Sequence, residues 1–216
     1  MSNTFTFYTR YYLVRILGRR ARNPEQLLKG IREVPESSIY YHTHRFLQQH
    51  HYMSPEPPND FAYWATTILN ISELGETLAS VDTVSYNKLE GLREAYIEKL
   101  ENYLSEDNFS TNCKPGQEFQ FASCVSFVAP TPYIASNLRE FSSILGHVSV
   151  SSLYFHFFES KLRLNRNEND FSLWLKDLGE VELSEEIAKI DPYTITLEGL
   201  RNKIISLVRS RYARNQ

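Results

Sequence analysis

The chain matches itself over most of its length. Residues 5–42 align with residues 119–156 without a gap, at a constant offset of 114. Shorter matches follow in the same order, such as LEGLR at 89–93 and again at 197–201. Matches that keep their order predict an internal duplication, with two copies of a unit of about a hundred residues. The identical pairs of the longest match are Phe5 and Phe119, Phe7 and Phe121, Val14 and Val128, Ala21 and Ala135, Asn23 and Asn137, Val34 and Val148, Ser37 and Ser151, Ser38 and Ser152, Tyr40 and Tyr154, and His42 and His156.

A polar segment with Pro115 and Gly116 separates the two copies. Proline and glycine within a polar stretch are typical of a domain boundary. We therefore expect repeat unit one at 1–105, a linker at 106–117 and repeat unit two at 118–216. We also expect a pseudo-twofold relation between the two units.

Each copy begins with a strand and continues with helices. The period-two aromatic residues of FTF and FQF predict the strand, and APTP at 129–132 is a turn signal, so we expect a short β-hairpin. A helix over TRYYLVRIL at 9–17 is the equal alternative in copy one. Asn23 with Gln26, and Asn137 with Glu140, have the spacing of helix N-caps, and Asn59 with Asp60 is expected to cap another helix. Apolar periodicity predicts further helices at about 37–52, from 60, at 74–81 and at 86–104. The expected fold is mainly helical α+β, with two tandem units and short β-hairpin elements.

Composition excludes several classes of protein. Apolar residues make up 42% and charged residues 23%, as in an ordinary globular protein. No apolar run reaches the length of a membrane span, and no signal peptide is recognisable, so we expect no membrane partner. Two cysteines cannot form a disulfide framework, which predicts a cytoplasmic protein. A net charge of −3 argues against nucleic acid, although the basic C-terminal segment 201–216 is its one candidate site.

Four of the six histidines fall within ten residues, at positions 42, 44, 50 and 51. An HxH pair shares one metal ion on a strand, where residues i and i+2 lie on the same face. On a helix the same two residues lie about 200° apart around the axis. Because this segment has helical periodicity, the spacing argues against a metal site, and no cofactor is expected.

His42 recurs as His156, and the Asp60 of copy one recurs as Asp170. The simpler interpretation is that a buried imidazole hydrogen-bonds a serine or the aspartate of the next helix, and so joins two helices. The alternative is that the two histidines meet across the pseudo-twofold axis beside the two aspartates. Such a pair could bind one ligand or metal, or support a hydrolase site between the repeats.

Copy one also holds polar residues that the shared fold does not need. His44 corresponds to Phe158, and Arg45 corresponds to Glu159. The segment that follows, HHYMSPEPP at 50–58, is longer and richer in proline than its counterpart. It predicts a binding surface in copy one, unless His50 and His51 only decorate a solvated helix end. The full set of candidate ligand-binding residues is His42, His44, Arg45, His50, His51, Asn59, Asp60, His156, Asn169 and Asp170.

The stretch from SSIYYHTHRF to SPEPPNDFAYW resembles an uncharacterised bacterial and archaeal family of unknown function. The resemblance includes the FxF start, the helix in ARNPEQLLKGIREVP and the LEGLR helix, and it covers essentially the whole chain. It implies a stand-alone cytosolic protein and supplies no catalytic residues.

Two hypotheses of function follow. The one we favour is a binding or regulatory module that engages a protein or a small anionic ligand through copy one, because no catalytic motif such as GxSxG, HExxH or a P-loop occurs. The alternative is a metal-dependent or His/Asp-based hydrolase whose site lies between the two repeats.

Overall fold

A computed structural model describes residues 4–50, 57–106, 111–164, 168–191 and 194–214. The fold is mixed α+β and mainly helical, as the sequence predicts. Within the described residues, a two-stranded sheet is the only sheet. Its strands are β1 (Phe5–Ala21) and β2 (Phe119–Ala135).

The prediction of a short β-hairpin in each copy is wrong. Each half of the sequence contributes one long strand, and the two strands pair with each other. Pro130 and Pro132 do not end a strand, because both lie inside β2. The backbone nitrogens of residues two apart in a strand point to the same edge. Both proline nitrogens can therefore face the outer edge of β2, where the sheet needs no hydrogen-bond donor.

The chain divides into two compact units. The central unit is Tyr12–Ser126, and the terminal unit combines Met1–Tyr11 with Phe127–Gln216. The start of β1, up to Tyr11, and the end of β2, from Phe127, therefore belong to the terminal unit. The rest of both strands belongs to the central unit. This arrangement is that of an antiparallel pair. The boundaries between the two units fall inside the strands. The predicted repeat boundary at 106–117 concerns the sequence duplication and stays a prediction.

In its described residues, the central unit holds helices α1 to α6 and a π-helical segment. Asn23 and Asn59 cap two of the helices through hydrogen bonds from Gln26 N–H and Ala62 N–H, as the sequence predicts. The predicted continuous helix at 37–52 instead contains the π-helical segment Tyr41–Arg45. The bounds are α1 Pro24–Glu33, α2 Glu36–Tyr40, α3 Phe46–His50, α4 Asp60–Thr67, α5 Ser72–Ala79 and α6 Leu89–Ser105.

The terminal unit is also helical, without a π-helical segment among its described residues. Asn137 and Asn169 are its N-caps and accept from Glu140 N–H and Ser172 N–H. The bounds are α7 Leu138–Leu145, α8 Val150–Phe157, α9 Glu159–Leu164, α10 Asp170–Asp177, α11 Val181–Ala188 and α12 Leu197–Arg214.

The aromatic pair that begins each strand is buried against helices of the other copy. In the central unit, Phe119 and Phe121 belong to the core that surrounds Phe61 and Trp64. Gly30 lies so close to Phe121 that an added Cβ would stand 2.2 Å from the ring, so this contact requires glycine. The core of each unit therefore depends on a strand segment from the other half of the sequence.

The same exchange occurs in the terminal unit. Phe5 and Phe7 are both buried there, with 7% and 0% of their surface exposed. The Phe7 ring stacks on Phe141 at 5.6 Å, and the Phe5 ring lies 5.6 Å from Trp174. Edge and stacked contacts of this kind add to the apolar burial of each ring.

Candidate functional site

Both ring nitrogens of His42 are engaged. Nδ1 lies 2.6 Å from Asp60 Oδ2, and Nε2 accepts a hydrogen bond of 2.9 Å from the backbone N–H of Ala122. A nitrogen that accepts from an amide carries no proton, so the imidazole is neutral and Nδ1 donates to Asp60. The ring is 1% exposed and connects the π-helical segment, α4 and β2.

His156 repeats this arrangement in the terminal unit. Nδ1 lies 2.7 Å from Asp170 Oδ2, and Nε2 accepts from Tyr8 N–H at 2.8 Å. Burial lowers the pKa of His156, an effect that the hydrogen bond and charge of Asp170 oppose. Because Nε2 accepts from the Tyr8 N–H, the hydrogen bonds of the folded protein fit the neutral ring.

These contacts support the simpler interpretation of His42 and His156. Each imidazole joins its own helical segment, a later helix and a strand inside its own unit, and neither has a ring nitrogen left for a metal or for a substrate proton. No group of three potential metal ligands occurs among the described residues. The geometry of these two histidines therefore does not support the hydrolase alternative.

Asn59 and Asn169 act as helix caps. Asn59 is fully buried, and besides its cap bond it donates from Nδ2 to the carbonyl oxygen of Leu78 at 3.0 Å. Asn169 accepts from Ser172 N–H at 2.9 Å. Their roles are accounted for by the start of α4 and α10.

Four flat side chains of copy one form a stacked series, which we call the aromatic column: Arg45, Tyr12, Tyr40 and His44. The Arg45 guanidinium lies 4.5 Å from the centre of the Tyr12 ring. Tyr12 stacks on Tyr40 at 6.0 Å, with their hydroxyls 2.7 Å apart. Tyr40 stacks on His44 at 5.6 Å with an interplanar angle of 11°. The π-helical segment supplies His44 and Arg45, and π-helical turns are frequent at functional sites.

Arg45 is half-buried, and its contacts are with uncharged groups. Nη1 donates to Gln48 Oε1 at 2.8 Å, and the ring of Tyr12 covers one face of the guanidinium. Among the described residues, no carboxylate lies within 4.0 Å of it. Burial and the Asp60 carboxylate raise the pKa of the neighbouring Tyr41 phenol, and the positive charge of Arg45 opposes this rise. The column therefore ends in a positive charge that no carboxylate of this part of the chain pairs.

The corresponding place in the terminal unit has paired charges. Glu159 is 1% exposed in its side chain and accepts an ion pair of 2.8 Å from Arg10. Arg10 lies 5.2 Å above the Phe155 ring, and Arg163 lies 4.6 Å from the same ring. Arg163 also pairs with Asp170 at 2.5 Å.

The offset of 114 relates the two places residue by residue. Glu159 stands where copy one has Arg45, and Arg10 stands where copy two has Cys124. The terminal unit therefore holds a buried ion pair at the positions where the central unit holds Arg45 and a buried cysteine. The sequence analysis named Glu159 only as the counterpart of Arg45, and it missed Tyr12 and Arg10, because the contacts between β1 and the helices are not visible in the alignment.

His50 and His51 give no further geometry, since the side chain of His50 and all of His51 lie outside the described residues. The proline-rich turn at 55–58 falls partly outside them as well. None of the helices in the described part of the chain has the length and apolar character needed to cross a bilayer.

Comparisons with known proteins place the chain in a family. No curated protein shows significant similarity to it. The structure of OrfY from Thermoproteus tenax is similar, with 27% sequence identity, a TM-score of 0.79, and coverage of 96% of this chain and 94% of that one. The model of a family of unknown function, DUF5752, matches residues 2–209 and confirms the resemblance seen in the sequence. The chain belongs to the DUF5752 family.

Proposed function

We propose that this protein is a binding module for a small anionic ligand, held at Arg45 at the end of the aromatic column. The observation that carries the proposal is the half-buried guanidinium with no carboxylate within 4.0 Å among the described residues. A charge in a partly buried place is costly unless an opposite charge pairs with it. A carboxylate or phosphate group is the partner that a planar guanidinium binds best.

The surrounding groups support a preformed site. The stacked rings of Tyr12 and Tyr40 hold the guanidinium in one orientation, and Gln48 fixes one of its nitrogens. A side chain that is already ordered loses less entropy when a ligand arrives. Binding without a catalytic motif is the role expected of a regulatory module.

We propose in addition that the two copies arose by internal duplication and that one site then changed its charges. The terminal unit has a buried Arg10–Glu159 pair where copy one has Cys124 and Arg45. In this view the Arg10–Glu159 ion pair is complete within the protein, whereas Arg45 of the central unit pairs with the negative charge of a ligand.

The test is calorimetric titration with inorganic phosphate, sugar phosphates and dicarboxylates, at constant ionic strength set with chloride. A charge-assisted hydrogen bond contributes about 1.5–3 kcal/mol, which corresponds to about 10- to 100-fold in affinity. We expect Arg45→Gln to weaken the best anion by that factor. The control Arg209→Gln removes an exposed charge in the other unit and should leave binding unchanged.

A double variant makes the test sharper. Arg45→Glu with Cys124→Arg installs in the central unit the ion pair of the terminal unit, so it should remain folded and bind no anion. If no anion of the panel binds the wild type, or if the double variant binds as the wild type does, the proposed site is wrong.

A further inference from the structure

The middle of β1 exposes aliphatic side chains that a folded protein normally covers. Leu13, Val14 and Ile16 are 63%, 47% and 68% exposed. Single exposed apolar residues are ordinary, but a group of neighbouring ones on a strand marks an interaction site. All three residues belong to the central unit.

The exposed residues lie on both faces of the strand. Leu13 and Arg15 point to one face, and Val14 and Ile16 point to the other, because successive side chains alternate. A helix or a flat surface would cover only one of these faces. A strand that pairs with the edge of β1 would place its own side chains beside the exposed residues of both faces.

The edge of β1 is suited to such an addition. In a two-stranded sheet, each strand has one edge outside the ladder. β2 carries Pro130 and Pro132, which lack the N–H that a new ladder would need, whereas the segment Phe5–Ala21 contains no proline. The exposure of Leu13, Val14 and Ile16 shows that no helix of the described residues covers the faces of this stretch.

Charge indicates what the added segment carries. Neither strand contains an acidic residue, and β1 contains Arg15 and Arg20, both exposed. Among the described residues, neither arginine has a carboxylate within 4.0 Å, whereas Arg19 pairs with Glu33. The complementary partner has aliphatic residues next to aspartate or glutamate. Symmetric pairing of two copies through this edge is disfavoured, because it would bring two basic strands together.

We propose that the edge of β1 from Leu13 to Arg20 binds an extended segment of another protein, in which aliphatic residues are flanked by acidic ones. The segment adds a third strand to the sheet, with main-chain hydrogen bonds for affinity and the arginines for selection. This surface is separate from the proposed anion site at Arg45, and either proposal can fail alone.

The experiment titrates the full chain with three fluorescent peptides and follows anisotropy. The first has a central Val-Ile-Val run flanked by glutamates, the second has lysines in place of the glutamates, and the third is the first with alternate backbone nitrogens methylated. We expect the first peptide to bind, and the other two to lose at least about 10-fold in affinity, since one loses the charge match and the other the main-chain donors. Hydrogen exchange should show new protection within residues 13–20.

A protein variant tests the same surface from the other side. Arg15→Glu with Arg20→Glu changes exposed side chains, so folding should be kept, and the preference should shift to the lysine peptide. Equal binding of the methylated peptide, or protection at another place in the chain, would overturn the proposal. So would equal affinity for polyglutamate, which has the charge without the aliphatic residues, or concentration-dependent self-association that the peptide does not displace.

Discussion

His42 and His44 stand two residues apart in one π-helical segment, yet their surroundings differ. His42 makes hydrogen bonds with Asp60 and with the buried N–H of Ala122, whereas His44 stacks on Tyr40. We expect His42→Phe to lower the free energy of unfolding by about 2–4 kcal/mol, because a buried N–H and a carboxylate lose their partner.

The matched variant is His44→Phe, which installs the residue of the other copy, Phe158, whose ring packs 4.9 Å from Tyr154. It should cost less than about 1 kcal/mol, since a ring of similar size keeps the stacking. Urea denaturation of both variants measures the difference. Equal costs for the two substitutions would show that the hydrogen bonds of His42 do not matter to stability.

His156 makes stability depend on pH. Burial lowers its pKa below the ordinary value of 6.5, so the unfolded chain binds the proton more readily than the folded protein. The stabilisation is therefore complete above pH 6.5 and is lost as the pH falls from there through the lowered pKa. We expect the free energy of unfolding to decrease over this range in the wild type, and to decrease less in His156→Gln. Exposed His147 is the control, and His147→Gln should keep the slope of the wild type.

At the scale of elements, the N-caps were predictable because their chemistry is local. Asn23, Asn59 and Asn137 begin helices as expected, since an asparagine three residues before a free N–H is visible in sequence alone. The π-helical segment and the length of the strands were not predictable. They depend on partners far along the chain, such as Ala122 N–H for His42, and no local pattern encodes those contacts.

Two caps that look alike in sequence should differ in their contribution to stability. Asn137 is exposed and its amide caps Glu140 N–H, so Asn137→Ala should cost about 1 kcal/mol. Asn59 is fully buried and also donates to the Leu78 carbonyl, so Asn59→Ala loses the cap and leaves a buried acceptor, at about 2–3 kcal/mol. Thermal unfolding of the two variants side by side measures the gap. A cost for Asn137→Ala as large as that for Asn59→Ala would mean that the Leu78 bond contributes nothing.

For the whole molecule, sequence reasoning identified the FxF starts as strands but not where they pack. Each copy has its own helices, so the expected arrangement kept each strand with the helices that follow it. The structure instead places Phe119 and Phe121 in the core of the central unit, and Phe5 and Phe7 against Phe141 of the terminal unit. A strand with an apolar FxF start can be buried in either arrangement, so hydrophobic pattern alone cannot separate them.

This exchange predicts which fragments fold. A fragment of residues 12–126 contains every residue of the central unit, including Phe119 and Phe121, and should unfold cooperatively with Trp64 in a buried environment. A fragment of residues 1–105 lacks both phenylalanines and the Gln117 carbonyl that accepts from Trp64 Nε1. Loss of two buried phenylalanines costs about 6–10 kcal/mol, which is as large as the whole stability of an ordinary domain. Circular dichroism and tryptophan emission of the two fragments show whether the compact unit or the sequence repeat is the unit that folds. A folded 1–105 fragment would mean that each sequence copy forms a core of its own.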